Sequence, residues 1–406
     1  MGSEAAHDAE RRRADRLRQA LADWADVPLP SVGVVRSPYR VCPLGAHVDH
    51  QLGEVTGFAV DRAILMAFAP RTDRRVLVRS RQFDEDAEFD LDAIPDSPEG
   101  DWADYVRGAA RVLGGLERGV TALVDGHDNV GGLSSSAAVG VAYLLALEDV
   151  NGMSCSDAQN IEFDRRIEND YIGLNNGILD QASILLSRRG CLMHLDCRTG
   201  ESELVPAGQG AEFRVAVLFS GLRLPLAESG YNRRVAECRG AARRLLDLAG
   251  LPPADPPALG LVPREVYEEH GAGLPEPLRK RAAHFFGERR RVRRGVELWR
   301  RGDLEGFGRL VNESGRSSVE NYECGNEYLR TADRALRDAP GVFGARFSGG
   351  GFRGCCVALA RHGFEDRVRQ VAIERYLAAH PDMEGEAEVY FCDPADGAGI
   401  LARGAR

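Results

Sequence analysis

Apolar and polar positions alternate along this chain in two rhythms. From residue 31 to 90, short apolar runs such as Val32-Gly33-Val34-Val35 and Arg75-Val76-Leu77-Val78 are separated by turn-forming residues, which predicts strands. Ahead of them, residues 4–25 place Leu17, Ala20, Leu21 and Trp24 at helical spacing and predict an amphipathic lead-in helix. Residues 102–116 read as helix. A glycine-rich loop at 130–133 opens into a helix from about Ser135 to Val150, ended by Gly152. Ser156 and Gln159 form a capping box for the next helix, which is expected to run to about Tyr171. Residues 173–177 are a loop, and another helix begins near Ile178.

Strand-like runs return over 190–220. Residues 252–263 are Pro-rich and predict a surface connection. Arg-rich helical segments fill much of 264–340, and a last strand-loop-helix unit covers 344–374. No internal repeat or low-complexity tract interrupts the pattern. The expected organisation is a lead-in helix over 1–25, one domain over 26–205 and a second over 206–406.

Composition narrows the chemistry. The longest apolar run, 137–147, is too short for a bilayer, which needs about 20 residues. The charged beginning of the chain has no apolar signal core. The nine cysteines are scattered, odd in number and form no C-x-x-C pair. Reduced thiols and a cytoplasmic location are expected. The net charge of −10 argues against a nucleic-acid partner. Lys280 is the only lysine, and it fits neither a P-loop nor the strand lysine of a protein kinase. Any nucleotide here is bound by another architecture.

Four segments carry candidate chemistry. Ser37 to Gln51 packs Arg40, His47, Asp49 and His50 around an apolar strand and the turn Pro43-Leu44-Gly45, a density of hydrogen-bonding groups suited to gripping hydroxyls. Gly131-Gly132-Leu133-Ser134-Ser135-Ser136 runs straight into a helix. Such a loop is either a plain serine cap or a phosphate cradle of bare backbone, helix N–H groups and hydroxyls. Glu168, late on one helix, and Asp180, in the first turn of the next, are either structural or an acid pair. Beside a phosphate loop, Glu168 suits Mg²⁺, an oxygen-seeking cation. Asp180 suits removal of a proton from an attacking hydroxyl, because the loose transition state of phosphoryl transfer tolerates a weak base. Finally, Gly349-Gly350-Gly351 between apolar runs places bare backbone against a helix or a ligand.

In this order the segments resemble those of the GHMP-type small-molecule kinases, and within them the galactokinase branch. Pro38, Arg40, Val41, Gly45, His47 and Asp49 match its P-G-R-V-N-L-I-G-E-H-T-D-Y signature. Gly131 to Ala137 match its G-G-L-S-S-S-A, and residues 167–181 resemble its A-E-N-E-F-x-G-x-x-C-G-I-M-D-Q. Trp102 to Gly108 and Tyr231 to Arg234 are similar to two further segments. The resemblance spans about residues 30–360. It implies an α+β fold with a ribosomal-S5-like N-terminal domain, a ferredoxin-like C-terminal domain and the site between them. It also implies roles: Asp180 as base at the anomeric hydroxyl with Arg40 beside it, and His47, Asp49 and Tyr231 on the sugar. Gly131, Gly132, Leu133, Ser134, Ser135 and Ser136 would wrap the phosphates of ATP, and Ser136 with Glu168 would hold Mg²⁺. Trp102 would lie near the adenine and Gly350 would line the sugar and phosphate site.

Two positions depart from that branch. Ala46 stands where galactokinases carry a Glu that accepts a hydrogen bond from the 6-hydroxyl. In galacturonate that carbon is a carboxylate, and two anions at about 4 Å repel by about 4 kcal/mol at an effective dielectric of about 20. Ala46 removes the repulsion. Arg353 replaces a Gly and is a candidate partner for the new carboxylate or a phosphate. Both departures resemble the galacturonokinase subgroup known from plants. The expected reaction is ATP-dependent phosphorylation of D-galacturonic acid at C1, with a small sugar acid and ATP as partners and no membrane. The alternatives are a galactokinase or another sugar kinase, and a non-catalytic sensor of sugar and nucleotide.

Overall fold

The computed structural model describes residues 2–222, 230–352 and 354–404. The lead-in segment is helical over Gly2–Ala25. It is followed by β1 (Gly33–Val41), the long β2 (Glu54–Pro70), β3 (Arg75–Ser80), β4 (Ala87–Asp90) and β5 (Val120–Asp125). β1 pairs antiparallel with β2, β2 with β5, and β5 runs parallel to β3, with β4 at the far edge. β6 (Cys191–Asp196) pairs with the first residues of β2, and β7 (Ser202–Pro206) pairs with β6. The lead-in helix covers one face of this sheet, setting Leu17 and Leu21 against Val34, Leu65 and Ala67. The helix Ser135–Asn151 packs on β1 and β2 as part of a second apolar cluster. Covered on both faces, β1 is buried at every position. Its residues are therefore buried on both faces rather than alternately, the polar Arg36, Ser37 and Arg40 included.

The second sheet is made of β8 (Phe213–Phe219), β9 (Val342–Phe347), β10 (Cys355–Arg361) and β11 (Glu388–Cys392), in the order β11-β8-β10-β9 and antiparallel throughout. Counted along the chain this is 4-1-3-2, with helices between its first and second strands and between its third and fourth. It is the ferredoxin-like arrangement that the family resemblance implied. Helices Tyr231–Leu248, Leu278–Arg300, Leu304–Glu320 and Glu327–Arg337 fill the first crossing.

Three local features differ from the sequence reading. The segment after the triple glycine is a central strand, β10, because Cys355 to Ala360 are buried between two neighbours. The helix expected to reach Tyr171 stops its regular turns at Arg166 and widens to π-type turns over Ile167–Ile172. Such wide turns often mark functional positions, and this one carries Glu168. Last, the chain returns to the first sheet: β12 (Pro394–Ala395) pairs with β2 and β13 (Gly399–Ala402) with β1. A single cut near residue 205 therefore does not separate the two sheets.

The sheets meet where two glycine loops touch backbone to backbone. Gly354 has φ +91°, and a Cβ there would lie 2.4 Å from the Gly131 carbonyl carbon. Gly132 has φ +94°, and a Cβ there would lie 3.0 Å from the Ser348 carbonyl oxygen. Side chains fit neither the conformation nor the space. Gly354→Ala is expected to cost about 2–4 kcal/mol of stability. Urea unfolding would read this as a lowered midpoint with an unchanged slope. A wild-type midpoint would mean that the loops part without cost.

Candidate active site

A cavity of about 200 Å³ opens at this junction. The first cluster contributes Arg40, Ala46, His47 and Asp49 to its wall, and the glycine loop contributes Gly131, Gly132, Ser134, Ser135 and Ser136. Glu168, Asp180, Tyr231 and Gly350 complete the residues that sequence reasoning brought here. Two others, Leu133 and Trp102, are not on the wall. The Leu133 side chain is fully buried in the core, and its carbonyl accepts from the Arg40 backbone N–H at 3.2 Å. Trp102 stacks on Phe83 at 5.3 Å outside the cavity. Arg353 lies outside the described residues.

Arg40 owes its position to a slip in the β1–β2 register between Pro38 and Arg40. Slips of this kind re-aim side chains beside active sites. Its guanidinium donates from Nε to Asp180 Oδ1 at 2.7 Å and from Nη1 to the Gly132 carbonyl at 3.1 Å. Burial opposes the Arg40 charge, but the Asp180 charge and hydrogen bond outweigh it, so its pKa lies above the ordinary value. Asp180 sits in the first turn of the helix Leu179–Leu186, and Ser134 donates a short hydrogen bond to its other oxygen. Ser134 does so from a left-handed backbone, φ 59°, immediately before the helix Ser135–Asn151. The Asp180 side chain keeps 22% exposure, so its carboxylate is open to a ligand in the cavity.

Glu168 lies deeper, at 1% exposure, and accepts a short hydrogen bond from Asn176 and another from Ser136. Burial, and then the charge of Asp180, push its pKa up to about 7. Among the described residues no cluster of three or more His, Cys, Asp or Glu forms a closed metal cage. One carboxylate and one hydroxyl at a helix N-terminus instead fit Mg²⁺, which completes its shell with phosphate oxygens and water.

The opposite end of the cavity is built around the turn at Ala46. Asp49 accepts from the Leu179 N–H at 3.4 Å, and burial followed by the Asp180 charge raises its pKa to about 6. His47 has a left-handed backbone, φ 61°, and stacks on Tyr322 at 4.3 Å; burial holds its pKa well below the ordinary value and the ring neutral. His50 meets the Tyr322 hydroxyl at 3.1 Å and packs edge-on against Tyr231. From behind, the helix Leu278–Arg300 holds the turn. Glu288 accepts from the Gly45 N–H at 2.8 Å, and His284 bonds the Ala46 carbonyl at 2.9 Å. The second half of the 250–300 stretch thus has a task that no motif disclosed. Sequence reasoning also missed Arg346, Ser348 and Asn176 on the wall. Arg346 and Ser348 lie just before the triple glycine it had singled out, and Asn176 precedes Gly177 in a loop it had marked.

Comparison with known proteins gives a consistent picture. The family model "GHMP kinases N terminal domain" matches residues 104–188, and "GHMP kinases C terminal" matches 296–381. A galacturonokinase from Arabidopsis thaliana is 43% identical over 413 aligned residues, covering 95% of this chain and 97% of the relative. A galactokinase from Lactobacillus helveticus is 32% identical, covering 80% and 84%. The crystal structure of Lactococcus lactis galactokinase complexed with galactose superposes with a TM-score of 0.86 at 28% identity, covering 95% of this chain and 99% of that one.

Glu168 is a buried anion beside a second anion, so it weakens the ligand-free fold. Its raised pKa means that the native state binds more protons than the unfolded chain from about pH 4.5 to about 7, so this contribution to stability falls as pH rises through that window. Glu168→Gln should therefore raise the melting temperature of the ligand-free protein at pH 8 and change it little at pH 5, while sharply reducing turnover. Equal shifts at both pH values would refute the assigned ionisation.

Proposed function

The chain belongs to the GHMP kinase family, and on that premise we propose that it transfers the terminal phosphoryl group of ATP to the anomeric hydroxyl of D-galacturonic acid. The products are galacturonic acid 1-phosphate and ADP. Kinase activity on a galactose-like or uronic sugar follows from the family and from relatives matched over nearly the whole chain. The choice of galacturonate rests on one observation: Ala46 lines the same cavity as Asp180. A small apolar side chain there leaves room for a carboxylate and sets no anion against it. The 43% identity to the plant galacturonokinase supports the same choice.

In this reading the anomeric oxygen attacks the terminal phosphorus, the bond to the ADP oxygen breaks, and the hydroxyl proton passes to Asp180. Arg40 fixes the orientation of that carboxylate and offsets charge at the transferred group. The bare backbone of Gly131–Gly132 and the N–H groups opening the helix Ser135–Asn151 bind phosphate without a lysine. Glu168 and Ser136 would hold Mg²⁺, which neutralises phosphate charge when bound. Asp49 and Tyr231 would read the ring hydroxyls, and Trp102 with Phe83 would flank the base.

A galactokinase is the second reading, favoured by the Lactococcus complex with galactose. Steady-state assays with the two sugars at equal concentration separate them. Galacturonate is expected to show the higher kcat/KM, and a clear preference for galactose would sink the substrate assignment. Asp180→Asn, which keeps an acceptor for Arg40, should lower kcat about 1000-fold with the fold intact. Full turnover in that variant would remove Asp180 from the role of base.

A further inference from the structure

The loop between the π-type turns and the helix Leu179–Leu186 reaches the cavity through Leu174 and Asn176. One side of it is tied to the turns it leaves. The Leu174 N–H donates to the Glu168 carbonyl at 2.8 Å, and Asn169 Nδ2 donates to Asn176 Oδ1 at 2.7 Å. With its oxygen so engaged, the Asn176 amide turns its nitrogen to Glu168 and donates to Oε2. One oxygen of Glu168 is thereby fixed from the loop, while Ser136 bonds the same carboxylate from the helix Ser135–Asn151.

The other side of the loop stands in open space. Gly173 has φ +85°, and a Cβ there would meet nothing within 4 Å. Hydrogen bonds rather than packing fix this turn, and they come from across the cleft. Asn232 lies in the first turn of the helix Tyr231–Leu248. It accepts from the Asn175 N–H at 3.1 Å and donates to the Gly173 carbonyl at 3.2 Å. A single side-chain amide thus closes on both ends of the Gly173–Asn175 turn. Its neighbour Tyr231 lines the cavity, whereas Asn232 is exposed and off the wall. The proposed mechanism gives Asn232 no part.

Mg²⁺ demands near-octahedral geometry, so a carboxylate that swings makes a poor ligand. The groups that orient a metal ligand therefore matter nearly as much as the ligand itself. Asn176 is such a group for Glu168. It can orient Glu168 only while its own loop is still, and Asn232 supplies that restraint from the far side.

We infer that Asn232 is a positioning residue for the metal and phosphate end of the site. By clamping the Gly173–Asn175 turn it fixes Asn176, and through Asn176 the direction of the Glu168 carboxylate. The inference rests on the reading of Glu168 as a ligand of Mg²⁺ and holds for either sugar.

The probe is the Mg²⁺ complex of a non-hydrolysable ATP analogue, its dissociation constant measured by calorimetry on the full chain. Asn176→Ala should weaken its binding about 30-fold and Asn232→Ala about 10-fold. Asn232→Ala should leave the binding of galacturonate or galactose alone unchanged, and in steady state should raise KM for MgATP but not for the sugar. Asn232→Asp keeps the acceptor and loses the donor, so it should fall between wild type and Asn232→Ala. Added to Asn176→Ala, Asn232→Ala should cost at most about 2-fold more, because its path to Glu168 is already cut. A role confined to stability would add its loss in full. If Glu168→Gln weakens analogue binding while Asn232→Ala does not, or if the double variant is additive, this inference alone is overturned. Equal weakening of sugar binding in Asn232→Ala would mark a general disturbance of the cleft and overturn it too. Unchanged analogue binding in Glu168→Gln would overturn both the inference and the metal reading of Glu168.

Discussion

Arg40 is buried at 3% exposure and charged, and the centre of the cleft is arranged around keeping it so. A guanidinium taken from water needs an anion and acceptors for its N–H groups. Asp180 supplies the first and the Gly132 carbonyl one of the second. These partners come from a helix and a loop far apart in sequence, so the ion pair forms only when both are docked on β1. The pair then fixes which oxygen of Asp180 faces Ser134 and which way the carboxylate points. The geometry that the proposed catalysis would use and the geometry that keeps a buried charge tolerable are here the same geometry.

Around that pair the molecule trades side chains for backbone. Phosphate recognition by lysine is closed to a chain whose only lysine, Lys280, bonds Glu323 and does not line the cavity. Two loops that touch through glycines bring peptide N–H groups and a helix N-terminus to the cavity instead. The acidic side chains there are crowded: Asp49 and Glu168 both have raised pKa values, with burial as the main cause and the charge of Asp180 next. A site that is short of positive charge when empty is ready for a ligand that arrives with a cation.

Legibility in the sequence followed distance along the chain. Arg40, Ala46, His47 and Asp49 were readable because they share one short segment. The glycine loop announced itself by composition, and the Glu168–Asp180 pair by its spacing across a loop. Helix starts such as the Ser156 capping box and the Gly152 stop were readable because they depend on neighbours alone. Glu288 and His284 were not, since an Arg-rich helix shows no sign that two of its residues hold a turn 240 positions upstream. β10 escaped because a strand buried on both sides has no alternation to read. Leu133 shows the limit of reading a motif as a unit: its neighbours line the cavity while its own side chain is core.

The pairing of β13 with β1 bears on how the protein is made. β1 lies between β2 on one side and β13 on the other, and β13 ends at residue 402. During synthesis the strand that carries Arg40 is made well before its outer neighbour, which lies beyond the whole second sheet, and waits for it. Until then it offers an open row of peptide groups, the kind of edge on which chains aggregate. The first sheet is therefore completed only once β13 has been made. Loss of β13 would strike at the strand that carries Arg40.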